Sequence, residues 1–393
     1  MKKSFDAIKL SFILCGTVIG AGFASGKELI SFFGAFGAWA APLCALCGVL
    51  FVLGFRLFMG IGKRLNAKSA DEFNSALFGR AAIIADIFVL LVFVVGGAAM
   101  LSAADSLFTV ITGRETVVPW FSLITAAIVF VCVLTGLKGL MRINSVVMPV
   151  LVIFLCGVSI TAIVAAIGGG GANGEETGRG IFRFFREIQQ NSRGDGAGQL
   201  KSGVTILLGL WAAFTYAGMN FMQSFPVMGR LGIASDILTA KRGTIGGGAL
   251  LGVLMTLMIF GALAGGIPAL DSDLPLLYLA GAQGRALLWF AATAIWLALS
   301  ISLLASSFSL TEWAVGFIKC RWLSAAIVLL LALTVSMLGF SVIVKYFFPV
   351  QGALGLVYVA FAVRFEVRAR RKEVKGKKEK AKSADKLLIS QNI

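Results

Sequence analysis

Along the chain an apolar window of roughly 17–25 residues recurs ten times, each long enough to carry a helix across a hydrocarbon core about 30 Å thick. The windows are 8–36, 38–60, 83–108, 119–136, 143–166, 203–227, 243–264, 286–310, 322–338 and 346–363. In lipid every backbone amide and carbonyl must be paired within the protein, so windows of this kind predict helices and exclude open sheets. The expected fold is an all-α polytopic membrane protein of about ten transmembrane helices. Composition agrees: 393 residues, 58% hydrophobic and 14% charged, with a mean hydropathy of +0.92. The first apolar run follows Met1-Lys2-Lys3 directly and lacks a small-residue cleavage site, so it reads as the first span and not as a removed leader.

A net charge of +16 would suggest nucleic acid in a water-soluble protein. Here the basic residues sit in short loops and in one tail, so a lipid bilayer accounts for them and no nucleic-acid partner is expected. With ten spans both termini share a side. Placing them in the cytoplasm puts Arg56, Lys63, Arg64, Lys68, Arg80, Lys138, Arg142, Arg230, Lys241, Arg242, Lys319, Arg321 and the basic tail inside, as the positive-inside rule requires. All six cysteines lie in or beside apolar segments, so no disulfide framework is expected, and Cys44 and Cys47 read as packing residues. The chain has no histidine, which removes the commonest proton carrier near neutral pH.

The first span is interrupted. Gly16, Gly20, Gly22 and Gly26 fall where a spanning helix should be continuous, and glycine costs about 1 kcal/mol against alanine inside a helix. Unwound backbone at membrane depth is tolerated only inside protein or along a wet cavity, so this break predicts a ligand site. A helix restarting near Ser25 would offer free amides and a positive dipole end to an anionic group. Lys27 and Glu28 follow at once; such residues at this depth either pair, with each other or with a neighbour, or serve a function.

The long loop divides the chain into residues 1–167 with five spans, a segment 168–202, residues 203–363 with five more, and a basic cytoplasmic tail, 364–393. Within the loop Ile181, Phe184, Phe185 and Ile188 share a helical face and predict a short helix on the outer surface. Five is odd, so the second half has inverted topology. Its first span also looks interrupted, at Gly209, at Phe214 to Asn220, and at Pro226 and Gly229. Interrupted segments at matching places of two halves point to a transporter binding site.

Five plus five inverted spans with broken spans one and six resemble the LeuT-like fold of the amino acid, polyamine and organocation superfamily. The string Gly-Thr-Val-Ile-Gly-Ala-Gly-Phe-Ala-Ser-Gly-Lys-Glu, residues 16–28, resembles that of the YkvI-type bacterial membrane proteins of this superfamily. The resemblance implies a secondary transporter in the bacterial inner membrane, working by alternating access on a small solute such as an amino acid. Gly20, Ala21 and Gly22, with Val18, would face the solute carboxylate, and Phe214, Thr215, Tyr216 and Gly218 would line the other side. It also implies a sodium ion held by carbonyls of Gly16, Ile19 and Leu303 and hydroxyls of Ser306 and Ser307. Neutral oxygens satisfy such a hard cation, and no organic cofactor is implied.

Span three departs from the related symporters: it lacks their tyrosine and reads Gly96-Gly97-Ala98-Ala99 at its centre, with Asp86 and Asp105 expected near its two ends. Two other readings stand beside the sodium-coupled carrier. One is a receptor of the same fold that binds without moving its ligand, and the other is a proton-coupled carrier. No nucleophile and base pair, metal cluster or phosphate loop points to an enzyme.

Overall fold

The computed structural model describes residues 2–67, 70–114, 119–135, 137–168 and 202–391. Helices account for the fold. Span one is built from α1 (Lys2–Val18), α2 (Ala21–Ser25) and α3 (Lys27–Phe33), followed by a 3-10 turn over Gly34–Trp39. Span two is α4 (Ala40–Leu65), which leads through the short α5 (Ala70–Phe78) to span three, α6 (Ala82–Thr112). Spans four and five are α7 (Trp120–Thr135) and α8 (Leu137–Gly168). The expected surface helix at 181–188 lies outside the described residues.

The second half repeats this order. Spans six and seven are α9 (Ser202–Ala234) and α10 (Ile237–Ala264), and α11 (Gly266–Asp271) and α12 (Pro275–Gln283) then intervene where α5 stands in the first half. Spans eight and nine are α13 (Arg285–Ile318) and α14 (Arg321–Ser336). Span ten opens with a single helical turn at Phe340–Val342 and a π turn at Ile343–Phe347, and continues as α15 (Phe348–Gln391). Among the described residues six stretches are long and apolar enough by themselves to cross a membrane.

Spans one, two, six and seven pack as one bundle, with α1 on α10 and α4 on both α9 and α10. Spans three, four, eight and nine pack beside it, with α6 on α13 and α14. Lipid tails are as apolar as leucine, so helices in a membrane associate through close van der Waals contact at small residues. Between α4 and α10 a Cβ on Gly48 would stand 2.9 Å from the Gly252 Cα. Between α9 and α15 a Cβ on Gly218 would stand 2.7 Å from the Gly352 carbonyl oxygen.

That last contact corrects one expectation. Span six is not interrupted: α9 runs unbroken from Ser202 to Ala234, with Pro226 inside it. Gly218 is there because the backbone of α15 lies against it, and a side chain would hold the two helices apart. Gly20 serves the break in the first span, whereas this one serves approach.

Polar side chains fix the ends. Arg64 at the end of α4 bonds to Glu366 at 3.3 Å and to Glu373, both on α15. Asp86 accepts from the Asn74 amide at 2.6 Å, and the Tyr358 hydroxyl donates to the Asn74 carbonyl oxygen at 2.8 Å, which joins α5, α6 and α15. Asp105 accepts from the Ser122 amide at 3.0 Å and from its hydroxyl, pairing a donor at the start of α7 that has no intrahelical partner.

Gly355→Leu places a branched side chain against the Gly218 backbone. Overpacking of this kind costs about 1–3 kcal/mol, so the detergent-solubilised variant should melt several degrees below wild type. Gly316→Ala, where nothing stands within 4 Å of the new Cβ, should melt as wild type does. Equal melting of the Gly355→Leu protein would refute the α9–α15 contact.

Candidate functional site

The break in span one is a gap in the backbone hydrogen-bond ladder between α1 and α2. In an unbroken helix the Phe23 amide would donate to the Ile19 carbonyl. Here the ladder runs as far as Ile19 N–H to the Cys15 carbonyl and resumes with Ala24 N–H to the Gly20 carbonyl, both at 2.8 Å. Between them Gly20 is extended, at φ −109 and ψ −165. The Ile19 carbonyl instead accepts from the Ser302 hydroxyl of α13 at 3.4 Å, and the Phe23 amide donates to the Glu28 carboxylate. Two of the freed groups, the Ile19 carbonyl and the Phe23 amide, have thus found side chains, which matters because an unpaired buried backbone group costs about 1–3 kcal/mol.

Glu28 reaches the break because Gly26, at φ 84, turns the chain back between α2 and α3. A positive φ is easy for glycine and strained for other residues. The returning carboxylate lies over Gly22, so closely that a Cβ there would fall on the Glu28 side chain. Glu28 is buried, with 4% exposed, and also accepts from the Tyr216 hydroxyl of α9 at 3.4 Å. Tyr216 is packed edge-on against Phe32 and Phe33, with ring centroids 5.2 and 5.4 Å away. The break and span six are thereby joined through one carboxylate.

Beside the break a crevice separates the bundle from spans three and eight. It comprises two cavities of about 280 and 360 Å³ that share Phe93, Val227, Arg230, Ala305 and Ser309. Its inner end is formed by Gly16 and Gly20 of span one, Met100 of α6, and Ser302 and Ser306 of α13. Gln223 of α9 lines it as well. Toward the end of α9 the wall becomes charged, with Arg230 on the bundle side and Asp71, Asp86 and Glu312 opposite. Glu312 also pairs with Arg321 at 2.9 Å.

On the far side of the break the protein is sealed by the turn between α11 and α12. The Lys27 ammonium donates to the Ser272 carbonyl at 2.8 Å and to that of Asp271 at 3.4 Å. Asp273 accepts from the Ser106 hydroxyl at 3.1 Å and from that of Ser341. Spans one, three and ten are thus fastened to one turn, and Leu276 packs behind it against Gly26. The crevice reaches the break from one end of the molecule.

Several residues singled out in the sequence meet here and others do not. Gly16, Val18, Gly20 and Ser306 line the crevice, and the Ile19 carbonyl borders it through Ser302. Ala21 starts α2 and Gly22 lies under Glu28. Leu303 and Ser307 are buried away from the crevice. Phe214 is 43% exposed on the outside of α9, Thr215 donates back to the Trp211 carbonyl at 2.8 Å, and Gly218 is occupied by α15. Because α9 is continuous, the stretch 214–218 does not peel open toward a solute. Lys27 and Glu28 do not pair with each other. Ser302, Gln223 and Met100 were missed; Ser302 stands one turn before Ser306 in the same run of serines, and that run was the signal for it.

If the Glu28 carboxylate holds the break, Glu28→Gln keeps an acceptor for Phe23 and should melt close to wild type. Glu28→Leu leaves the amide unpaired and should lose about 1–3 kcal/mol. Identical melting of the two variants would mean that the break is held by something else.

No protein-family model matches the chain. Over 150 residues it is 38% identical to the "Uncharacterized membrane protein YkvI" of Bacillus subtilis (strain 168), a stretch that covers 38% of this chain and 43% of that protein. Over 373 residues it is 23% identical to the "Uncharacterized protein YyaD" of the same organism, covering 92% of this chain and 98% of that one. Two solved structures share its fold. One is a substrate-bound outward-open Na+-coupled sialic acid symporter, at TM-score 0.55 and 13% identity over 89% of this chain and 75% of the other. The second is the inward-facing conformation of Mhp1, at TM-score 0.54 and 14% identity over 89% and 73%. Over those 150 residues the chain is similar to YkvI, and it carries the LeuT-like fold of the two solved structures.

Proposed function

We propose that this protein is a secondary carrier that moves a small solute, of the amino acid type, by alternating access. The observation that carries the reading is the one-sided crevice: it ends at a helix break, between a bundle and a second group of helices, and is sealed beyond it by the α11–α12 turn. A carrier needs such a path to open first at one end and then at the other. Gly20 presents backbone to the crevice, and Val18, Ala21 and Gly22 complete the segment that would meet the solute. Sodium is the coupling ion in this reading. The Ile19 carbonyl with the Ser302 hydroxyl, and Gly16 with Ser306, supply neutral oxygens of the kind a hard cation takes. Ser302 enters this set where Ser307 was expected. The ion's positive charge would balance a solute carboxylate beside it.

The basic end, where the crevice emerges, faces the cytoplasm in this reading. In a cysteine-free background, a thiol at Gln283 in the α12–α13 turn should react with an impermeant reagent from outside intact bacterial cells, and one at Lys319 should not. The opposite pattern would invert the protein and exchange its two gates.

Purified protein in liposomes should exchange an external amino acid for the same one inside, and faster with sodium than with choline at equal ionic strength. Ser302→Ala with Ser306→Ala removes two oxygens and little volume. Sodium affinity should fall at least tenfold, about 1.4 kcal/mol, and solute affinity should fall with it, because both ligands stabilise one state. Exchange indifferent to sodium in the wild type would remove the ion from the mechanism. A sodium dependence unchanged in the double variant would place the ion elsewhere.

A further inference from the structure

Two successive residues of α3 serve different places. Lys27 fastens the seal through the Ser272 and Asp271 carbonyls, while the Glu28 carboxyl turns inward to the Phe23 amide and the Tyr216 hydroxyl. Nothing around that carboxyl balances a negative charge. From α9 it meets Tyr216, and Cys44 and Cys47 of α4 lie near that hydroxyl. The ionisable residues of α10, Lys241 and Arg242, are at its other end, where Gly243 meets Leu10 of α1. Neither α2 nor the 3-10 turn carries an ionisable side chain. Lys345 of the π turn, like Asp271 and Asp273 beyond it, acts on Lys27. Among the described residues no lysine or arginine pairs with Glu28. The carboxyl is buried and lines neither cavity of the crevice.

We propose that Glu28 is a proton-binding site filled and emptied from the sealed side alone: it holds a proton while the α11–α12 turn is closed and gives it up when the turn opens. This rests on the carrier reading above for the opening itself, and adds a ligand distinct from the cation at Ile19 and Ser302. A charged carboxyl at membrane depth with no cation beside it is costly. A proton on one oxygen removes the charge and leaves the other oxygen to accept from Phe23. The proton finds a partner too, because Oε2 lies 3.4 Å from the Tyr216 hydroxyl oxygen and a carboxyl and a phenol can each donate to the other. Opening the seal frees Lys27 and admits water to α3, where the carboxylate can be solvated. One O–H bond forms or breaks, and the proton comes from and returns to water on that side, so none crosses with the solute. The sealed state binds the extra proton, so acid favours closure and alkali favours opening.

The test reads the seal itself, in the full cysteine-free chain in intact bacterial cells, where the pH of the outer face can be set alone. Leu276 is buried behind the turn against Gly26, so Leu276→Cys reacts with an impermeant thiol reagent only when the seal opens. Gln283→Cys, exposed after α12, corrects for the reagent's own response to pH. Raising the external pH from about 6 to about 8.5 should speed the Leu276→Cys reaction, relative to Gln283→Cys, at least tenfold. Glu28→Gln keeps an acceptor for Phe23 and has no proton to lose, so adding it should leave the reaction slow and indifferent to pH. Should Leu276→Cys disturb the turn, Pro275→Cys, also packed on Gly26, reports the same opening. If Gln283→Cys is shielded from outside, the same comparison is made in inside-out vesicles. A corrected rate indifferent to pH, or a pH response that survives Glu28→Gln, overturns the proton site. Net solute uptake that acidifies the lumen of proteoliposomes overturns the one-sided route. A seal gated by pH through Glu28 in a protein that exchanges no solute would keep the site and remove the carrier reading.

Discussion

The hydrogen-bond ladder of the first span stops at the Ile19 amide and resumes at the Ala24 amide, and the site is built around that gap. The gap frees backbone groups at membrane depth, and the chain answers two of them, the Ile19 carbonyl and the Phe23 amide, with side chains from different places. Ser302 comes from span eight, and Glu28 returns from three residues beyond the end of α2. The break is therefore not a weak spot in the helix. It is a joint pinned on one side to the helices around span three and on the other, through Tyr216, to span six.

The two pins differ in kind. Glu28 and Tyr216 tie parts of the same bundle, so they travel together when the bundle moves as a body. Ser302 belongs to the other group of helices, so its bond crosses the boundary along which bundle and partner would slide. A single hydroxyl at 3.4 Å is a light restraint for such a boundary. The glycine contacts Gly48 to Gly252 and Gly218 to Gly352 join α4 to α10 and α9 to α15, where close backbone approach makes a stiffer unit.

The helical plan was legible in the sequence because hydrocarbon enforces it. An apolar window of the right length has few alternatives to a spanning helix, and the first break could be read because four glycines in eleven residues have little other use there. Span six shows the limit of the same cue. Gly218 looked like a second break, yet glycine also marks where another backbone comes near, and only the position of α15 decides between the two. Gln223 and Met100 gave no signal, since a lone glutamine or methionine in an apolar window does not say which neighbour it faces. Glu28 was visible as a costly residue, but its partner was not, because Gly26 reverses the chain before the carboxylate is delivered.

The seal at the α11–α12 turn is made of two unlike fastenings. Lys27 binds main-chain oxygens of Asp271 and Ser272, which every amino acid possesses. Asp273 binds Ser106 and Ser341 through its own carboxylate. The first fastening is blind to the identity of the two residues it grips, provided the turn keeps its shape, and the second depends wholly on one side chain. The Ser272 hydroxyl helps to set that shape by accepting from the Leu274 amide at 3.2 Å, whereas the loss of one carboxylate at 273 would release two spans at once. The turn thus fails in two ways, gradually where its shape is lost and abruptly where Asp273 is.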